Sequence, residues 1–511
     1  MILAWTLFLI YMLGTAYLGW LGYKRTKTFD SFAIGSGDMP PWVVGITLAA
    51  SVASAATFII NPGFIYVHGL SAFMHFVAAV GCGFCLMLVL LSFRFRRLGE
   101  SNQALTMPHW IGKRFQSRGI ALYFAVVNLF ALAFVVLIAG GLSIVMQQLL
   151  GISNVVALII ILGFVTGYIF IGGTYAHAFT NTLQGSLMLI VSLVIIISGL
   201  KLFLPNSPGF FERLAAQDAN LVAWINPASD LYNSVFSIYI SGFIIGAALV
   251  CQPHILTKAL YVKSDRAVRN YLIIAVAALV IFFLLPIAGF YARLTLPPQQ
   301  IVDAATGAFR QDLVMTMYLK SAFPEWTFTV ISIVLLAAGM STLDGILVSL
   351  STISANDLLL NLIDRFSSVQ RSEQQRLALA YKLSHVILIG IAAAAFVICL
   401  NPPRLLGIFG QVGVYGMAVA AVPPLLGGIL FRNISRNLVW LSSLVGLTAH
   451  FILYFYGARL FPNSGITFAN PGVTATLAIL LSLLPSLSTA WMIQRRQPAE
   501  KRADANLFKK C

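Results

Sequence analysis

The sequence predicts an all-α polytopic membrane protein with thirteen transmembrane helices, N-terminus outside and C-terminus inside. Three observations predict this. Of the 511 residues 59% are hydrophobic and only 9% charged, where a soluble chain carries roughly a quarter charged. Uncharged runs of about twenty residues recur along the whole chain, the length a helix needs to cross hydrocarbon. The charged residues sit in short clusters between those runs, and the positive ones gather on one side. No period-two alternation points to a membrane β-barrel. Lipid leaves the backbone only its own helix as partner.

The first run, 2–22, has no basic segment before it and is followed by Lys24, Arg25 and Lys27. It reads as an uncleaved helix with an outer N-terminus. Further runs lie at 42–67, 71–93, 119–150, 154–171, 181–204, 233–252, 269–295, 327–362, 380–400, 405–431, 437–459 and 472–493. With that topology, 25 of the 32 Lys and Arg residues fall on the inner side, as the positive-inside rule requires. The net charge of +16 is thereby explained by orientation, without a basic domain or aromatic groove for nucleic acid. Of five cysteines, Cys82 and Cys85 are one helical turn apart but have no second pair or histidine cluster, so they read as small apolar residues.

Three loops have their own character. The segment 205–233 is long, polar and outside, with room for a short helix at 210–216. The segment 297–320 reads as an amphipathic turn and helix, a lid over an outer vestibule. The segment 104–116 carries Trp110 and Phe115 among basic residues and reads as lying on the membrane surface. The basic tail after Trp491 reads as disordered.

The run 335–350, LLAAGMSTLDGILVSL, carries the chemistry. Ser341, Thr342 and Asp344 lie inside it. An intramembrane carboxylate is costly and usually faces a cavity, a partner or an ion pathway. It can also be a hydrogen-bonded residue that joins helices, and membrane Ser and Thr often bond the carbonyl one turn earlier. Together the three offer hard oxygens to a small cation. Further ligands must come from another element. The stretch 49–63, AASVASAATFIINPG, is rich in small and hydroxyl residues, and Pro62 lacks a donor and clashes near Phe58. A break here would turn carbonyls toward a cavity; a kinked helix is the alternative. Gly242 and Gly246 interrupt the seventh run. The second and seventh runs are five apart, as in an inverted repeat with a midplane site.

These residues resemble the sodium:solute symporter family, over about 29–430. The matching pieces are FAIGSGDMPPWVVG (32–45), SAATF with NPG (54–63), GGTYAHAFTNTLQG (172–185), QPHILTKAL (252–260) and MSTLDG (340–345). The resemblance implies a leucine-transporter-like 5+5 fold. On it, 1–41 is a leading helix and loop, 42–431 the ten-helix core (repeats 42–204 and 233–431), 432–493 two trailing helices and 494–511 a cytoplasmic tail. It implies Na⁺ as coupling ion, held by the carbonyls of Ala50, Ala53 and Ala338 and the hydroxyls of Ser341 and Thr342. Where the family usually has Trp-Thr-Asp, this chain has Phe179, Thr180 and Asn181. Asp344 is therefore expected to face Asn181 and hold or relay a second cation. The solute site implied is Ser54, Thr57, Phe76, Phe243 and Ile245; helix packing also accounts for Thr57 and Phe76.

The expected function is Na⁺-coupled import of a small organic solute across the cell inner membrane by alternating access. The solute is an amino acid such as proline, or a carboxylate such as a monocarboxylate or pantothenate. A sugar is disfavoured by Phe76 and Ile245. The partners expected are that solute and the lipid bilayer, no nucleic acid is expected, and a monomer is expected to transport. An enzyme is not indicated: no nucleophile–base pair is evident, and His75 and His177 read as isolated. The alternative is a solute sensor on the same fold without net transport.

Overall fold

The computed structural model describes residues 2–101, 104–204, 208–302, 307–366, 371–403, 405–431 and 434–495. Every regular element among them is helical. Nine helices there are long and apolar enough to cross a membrane: α1 (Ile2–Arg25), α4 (Leu70–Gly99), α5 (Arg118–Leu150), α6 (Asn154–Phe203), α9 (Asp265–Thr295), α10 (Glu325–Phe366), α11 (Glu373–Leu400), α12 (Leu406–Leu430) and α13 (Arg436–Leu460). Two bent pairs raise the count to eleven: α2 (Pro41–Val52) with α3 (Ala56–His68), and α7 (Phe236–Leu249) with α8 (Pro253–Tyr261). A last helix, α14, runs Pro471–Arg495.

The bends form where the sequence stops supplying the helical ladder. α2 and α3 meet at 49°. At the junction the Ser54 N–H, which would continue the ladder to Ala50, bonds Val52 O at 2.9 Å, and the Ser54 hydroxyl caps the Ala56 N–H at 3.1 Å. The expected break at Asn61–Gly63 lies eight residues further on. There a π-helical stretch, Ala56–Ile60, widens the turn ahead of Pro62, which sits in the first turn of the next α-helical segment. The missing donor and the clash are both absorbed without a break.

α7 and α8 meet at 62°, at Val250–Gln252, with Pro253 starting α8. Gly242 and Gly246 are therefore not the break. They let α7 cross α4 closely: a Cβ on Gly246 would lie 2.2 Å from Val80 O, and one on Gly242 2.7 Å from the Ala79 methyl.

α6 is continuous in hydrogen bonding but turns at Gly173, whose φ of 49° and ψ of −139° lie outside helical space. A Cβ there would strike the Phe32 ring at 2.5 Å. α1 lies along α6, α6 along α10, and α10 also packs against α2 and α5. α10 and α12 are the most enclosed helices, so α10 is the axis of the bundle.

Short helices fill the loops at Met107–Arg114, Phe210–Gln217 and Val314–Ala322. The aromatics at the first, expected on the membrane surface, pack into the protein. Trp110 is fully buried and Phe115 nearly so, and Trp110 stacks on Phe95. The tail beyond Arg495 lies outside the described residues, as do Arg404 and Arg432.

Candidate functional site

The last turn of any helix leaves carbonyls without partners. In α2 the bend assigns this to Ala50 and Ser51, deep inside the bundle. α10 brings two hydroxyls to them. Ser341 Oγ lies 3.0 Å from Ala50 O and 2.7 Å from Ala338 O. Thr342 Oγ1 lies 3.1 Å from Ser51 O and 3.5 Å from Ala50 O. Each hydroxyl has one hydrogen to donate, so two of these four oxygen–oxygen contacts hold no hydrogen. A cluster with surplus lone pairs, at the negative end of a helix, suits a small hard cation. The residues present thus fit Na⁺. The main-chain oxygen against Thr342 is that of Ser51, where the resemblance implied Ala53. Ala53 instead closes the end of α2, its N–H on Ala49 O.

Asn181 and Asp344 do not pair with each other. Asn181 Nδ2 donates to Ser51 Oγ at 3.2 Å and to Ser341 O at 2.7 Å, tying α6 to both halves of the oxygen cluster. Asp344 is fully buried and faces other partners. Its Oδ2 accepts from the Tyr168 hydroxyl at 2.9 Å and lies 3.2 Å from Thr180 Oγ1. Its Oδ1 lies 2.8 Å from His177 Nδ1. His177 Nε2 in turn lies 3.1 Å from Lys258 Nζ, which also donates to His254 O at 2.8 Å. His177 is therefore not isolated. His75 is buried too, with Nδ1 against the carbonyls of Ser237 and Ile238 at 3.1 and 3.0 Å.

A cavity of about 110 Å³ adjoins the α2–α3 bend. Ser54, Thr57 and Phe76 line it, as expected, and Ser51 connects it to the oxygen cluster. Phe243 and Ile245 do not. Phe243 is 40% exposed, while Ile245 is packed in the core. Asn61, Gln252, His254, Gln411 and Tyr415 complete the polar wall. Gln252 Nε2 donates to Leu249 O at 3.0 Å, which fixes the amide and leaves Oε1 a buried acceptor with no partner. A larger cavity of about 1190 Å³ shares no lining residue with this one and is ringed by charged groups such as Arg96, Lys113, Asp357 and Arg376. The chemistry points to the smaller: both sides of the α2–α3 bend line it, and through Ser51 it adjoins the oxygen cluster.

The profile of the sodium:solute symporter family matches residues 32–446. This chain belongs to that family. The symporter is 25% identical to the sodium/proline symporter of Salmonella typhimurium over 514 residues, covering 96% of this chain and 95% of that one. It is 25% identical to the sodium/pantothenate symporter of Haemophilus influenzae over 466 residues, covering 90% and 91%. Its fold matches that of a substrate-bound, outward-open Na⁺-coupled sialic acid symporter with a TM-score of 0.73 at 18% identity, covering 94% and 96%. The family consists of transporters, not enzymes, and Na⁺ is the coupling ion. The symporter is a multi-pass membrane protein.

Among the features of the site that escaped sequence reasoning are Gln411, Tyr415, the Ser51 carbonyl, Gln252 and Lys258. The signal for the last two was present in QPHILTKAL. A Gln-Pro pair there precedes a histidine and a lysine four apart. Lysines so close to Lys263, Arg266 and Arg269 read as inner-loop charges until the fold buries one.

Proposed function

We propose that the symporter imports a small amino acid or organic carboxylate, such as proline, a monocarboxylate or pantothenate, with Na⁺ held by Ala50, Ser51, Ala338, Ser341 and Thr342. The observation that carries this is the junction of the α10 hydroxyls with the orphaned carbonyls of α2, at the wall of a small cavity. Na⁺ arriving from outside bridges α10 to α2 and fixes the bend. The bend in turn sets Ser54 and Thr57, which line the cavity. Binding of Na⁺ and of solute thereby support each other. Rocking of the bundle then opens the inner side. One inward charge gains ~2.3 kcal/mol per 100 mV, enough for roughly fifty-fold accumulation of a neutral solute.

The cavity favours the smaller candidates. Its volume of about 110 Å³ is well under the ~300–1,000 Å³ of drug-sized sites. Among the described residues, no lysine, arginine or carboxylate lines it. A solute carboxylate would be met by Ser54, Thr57 and Gln411 and by main-chain N–H groups at the bend, and an ammonium or imino group by Gln252 Oε1.

Thirteen crossings with an outer N-terminus and inner C-terminus, in the inner membrane, belong to the same proposal. The 50 residues of α6 extend roughly 75 Å at 1.5 Å each, twice a ~30 Å hydrocarbon core. Gly173 then divides two crossings, and α14 adds the last. The repeats 42–204 and 233–431 each begin with a bent pair.

Uptake of radiolabelled proline, lactate, pantothenate and glucose into proteoliposomes, each with inward Na⁺ or K⁺ gradients, tests the reading. Na⁺-dependent accumulation of one of the first three is expected. Accumulation of glucose, or binding without uptake, would overturn it.

A further inference from the structure

The buried chain from Lys258 through His177 to Asp344 has no part in the Na⁺ contacts above. Its members come from three elements: Lys258 from α8, His177 from the second arm of α6, and Asp344 from α10, two residues beyond Thr342. Asp344 is fully buried, and His177 and Lys258 are each 1% exposed. A single uncompensated charge at such depth costs several kcal/mol even after relaxation, so the carboxylate needs a positive partner.

The hydrogen bonds identify that partner. His177 Nδ1 lies 2.8 Å from a carboxylate oxygen; against an ionised Asp344, which only accepts, it is the donor. With a neutral imidazole, Nε2 accepts, and Lys258 Nζ donates to it across 3.1 Å as an ammonium. Were the imidazole protonated instead, Lys258 would have to be a neutral amine. With Asp344 ionised, either arrangement holds one positive and one negative charge. Tyr168, and Thr180 beside it, meet the remaining carboxylate oxygen. The set is neutral and closed.

We propose that Lys258 is a tethered counter-cation. Through His177 it supplies the positive charge that a carboxylate beside the sodium site would otherwise draw from solution as a second cation. It thereby limits the symporter to one bound Na⁺. Because this cation is covalently held, it does not cross the membrane, and a single charge accompanies each neutral solute. The proposal rests on the Na⁺ reading of Ser341 and Thr342.

The test uses purified full-length protein and thermal unfolding across NaCl concentrations, with choline chloride holding ionic strength constant. Wild type is expected to follow a one-site curve, with a Hill coefficient of about 1. In Lys258→Ala the carboxylate is left uncompensated beside space vacated by an aminopropyl group. Stabilisation by Na⁺ then becomes two-site, with a coefficient approaching about 2, or is restored by millimolar ethylammonium, to which wild type is indifferent. Lys258→Ala/Asp344→Asn removes both charges and recovers stability over the single variant, with neither response. A two-site wild-type curve would overturn the proposal. So would a Lys258→Ala protein with a one-site curve and no response to ethylammonium. Should Lys258→Ala not survive purification, recovery in the double variant supports the proposal and no recovery overturns it. Ethylammonium rescue of Lys258→Ala, in a protein whose wild type is indifferent to Na⁺, would remove the sodium-site reading while upholding the counter-cation.

Discussion

Ser341 and Thr342 work as a pair because each faces two carbonyls with one hydrogen. Removing either hydroxyl deletes an oxygen from a five-oxygen cluster and leaves the α2 end less well bridged. Ser341→Ala and Thr342→Ala are each expected to weaken Na⁺ binding by about tenfold or more, ~1.4 kcal/mol, read from the Na⁺ concentration that half-stabilises the protein in thermal unfolding. Ser341 sits between Ala50 O and Ala338 O, so its loss should be the larger. An unchanged Na⁺ midpoint in both variants would move the ion site elsewhere. The hydroxyls were legible in the sequence because the side chain itself is the ligand. Ser51 was not, because its ligand is a carbonyl, and which carbonyls are orphaned depends on where α2 ends. Lys258 was illegible for a related reason: its burial is set by a histidine 81 residues away.

Bends and clamps act at the level of elements. The turn in α6 depends on Gly173, since its dihedrals are open only to glycine at a cost of about 1–3 kcal/mol for other residues. Gly173→Ala also drives a methyl into Phe32. It is expected to destabilise the fold by at least that amount, seen as a lower unfolding temperature, whereas the same change at Gly163, where a Cβ meets nothing within 4 Å, should be silent. Outside the membrane helices, the turn Gln311–Leu313 clamps α3: Gln311 O lies against Gly63. Asp312 beside it is buried, and burial raises its pKa from 3.8 to about 6 against the opposing pull of Arg310 and the Leu406 backbone. Between those values the unfolded chain has released this proton and the folded one still holds it. Stability should therefore fall as pH rises from about 4 to about 6 and level off beyond. Asp312→Asn should flatten that slope and leave the protein more stable at pH 7, by up to roughly 3 kcal/mol. A slope unchanged in the variant would assign it to another group.

Across the whole molecule, hydropathy located the long apolar helices well, because a chain without strand-like alternation can satisfy its backbone in lipid only as helix. It misplaced both helix breaks. Asn61-Pro62-Gly63 and Gly242/Gly246 look like interruptions, yet one is absorbed by a π-helical stretch and the other serves a close crossing with α4. The sidedness of the chain turns on α6. If its two arms cross separately, Lys27 and Trp224 lie on opposite faces; if α6 crosses once, they share a face and everything after it inverts. Both residues are exposed, as is Phe366. In a cysteine-free background, Lys27→Cys, Trp224→Cys and Phe366→Cys can each be labelled in intact cells with a membrane-impermeant maleimide. With an outer N-terminus and a twice-crossing α6, only the cysteine at 224 should react before permeabilisation. Protection of all but position 366 would mean that α6 crosses once, leaving twelve crossings with both termini outside, and the two repeats would then no longer be inverted with respect to each other.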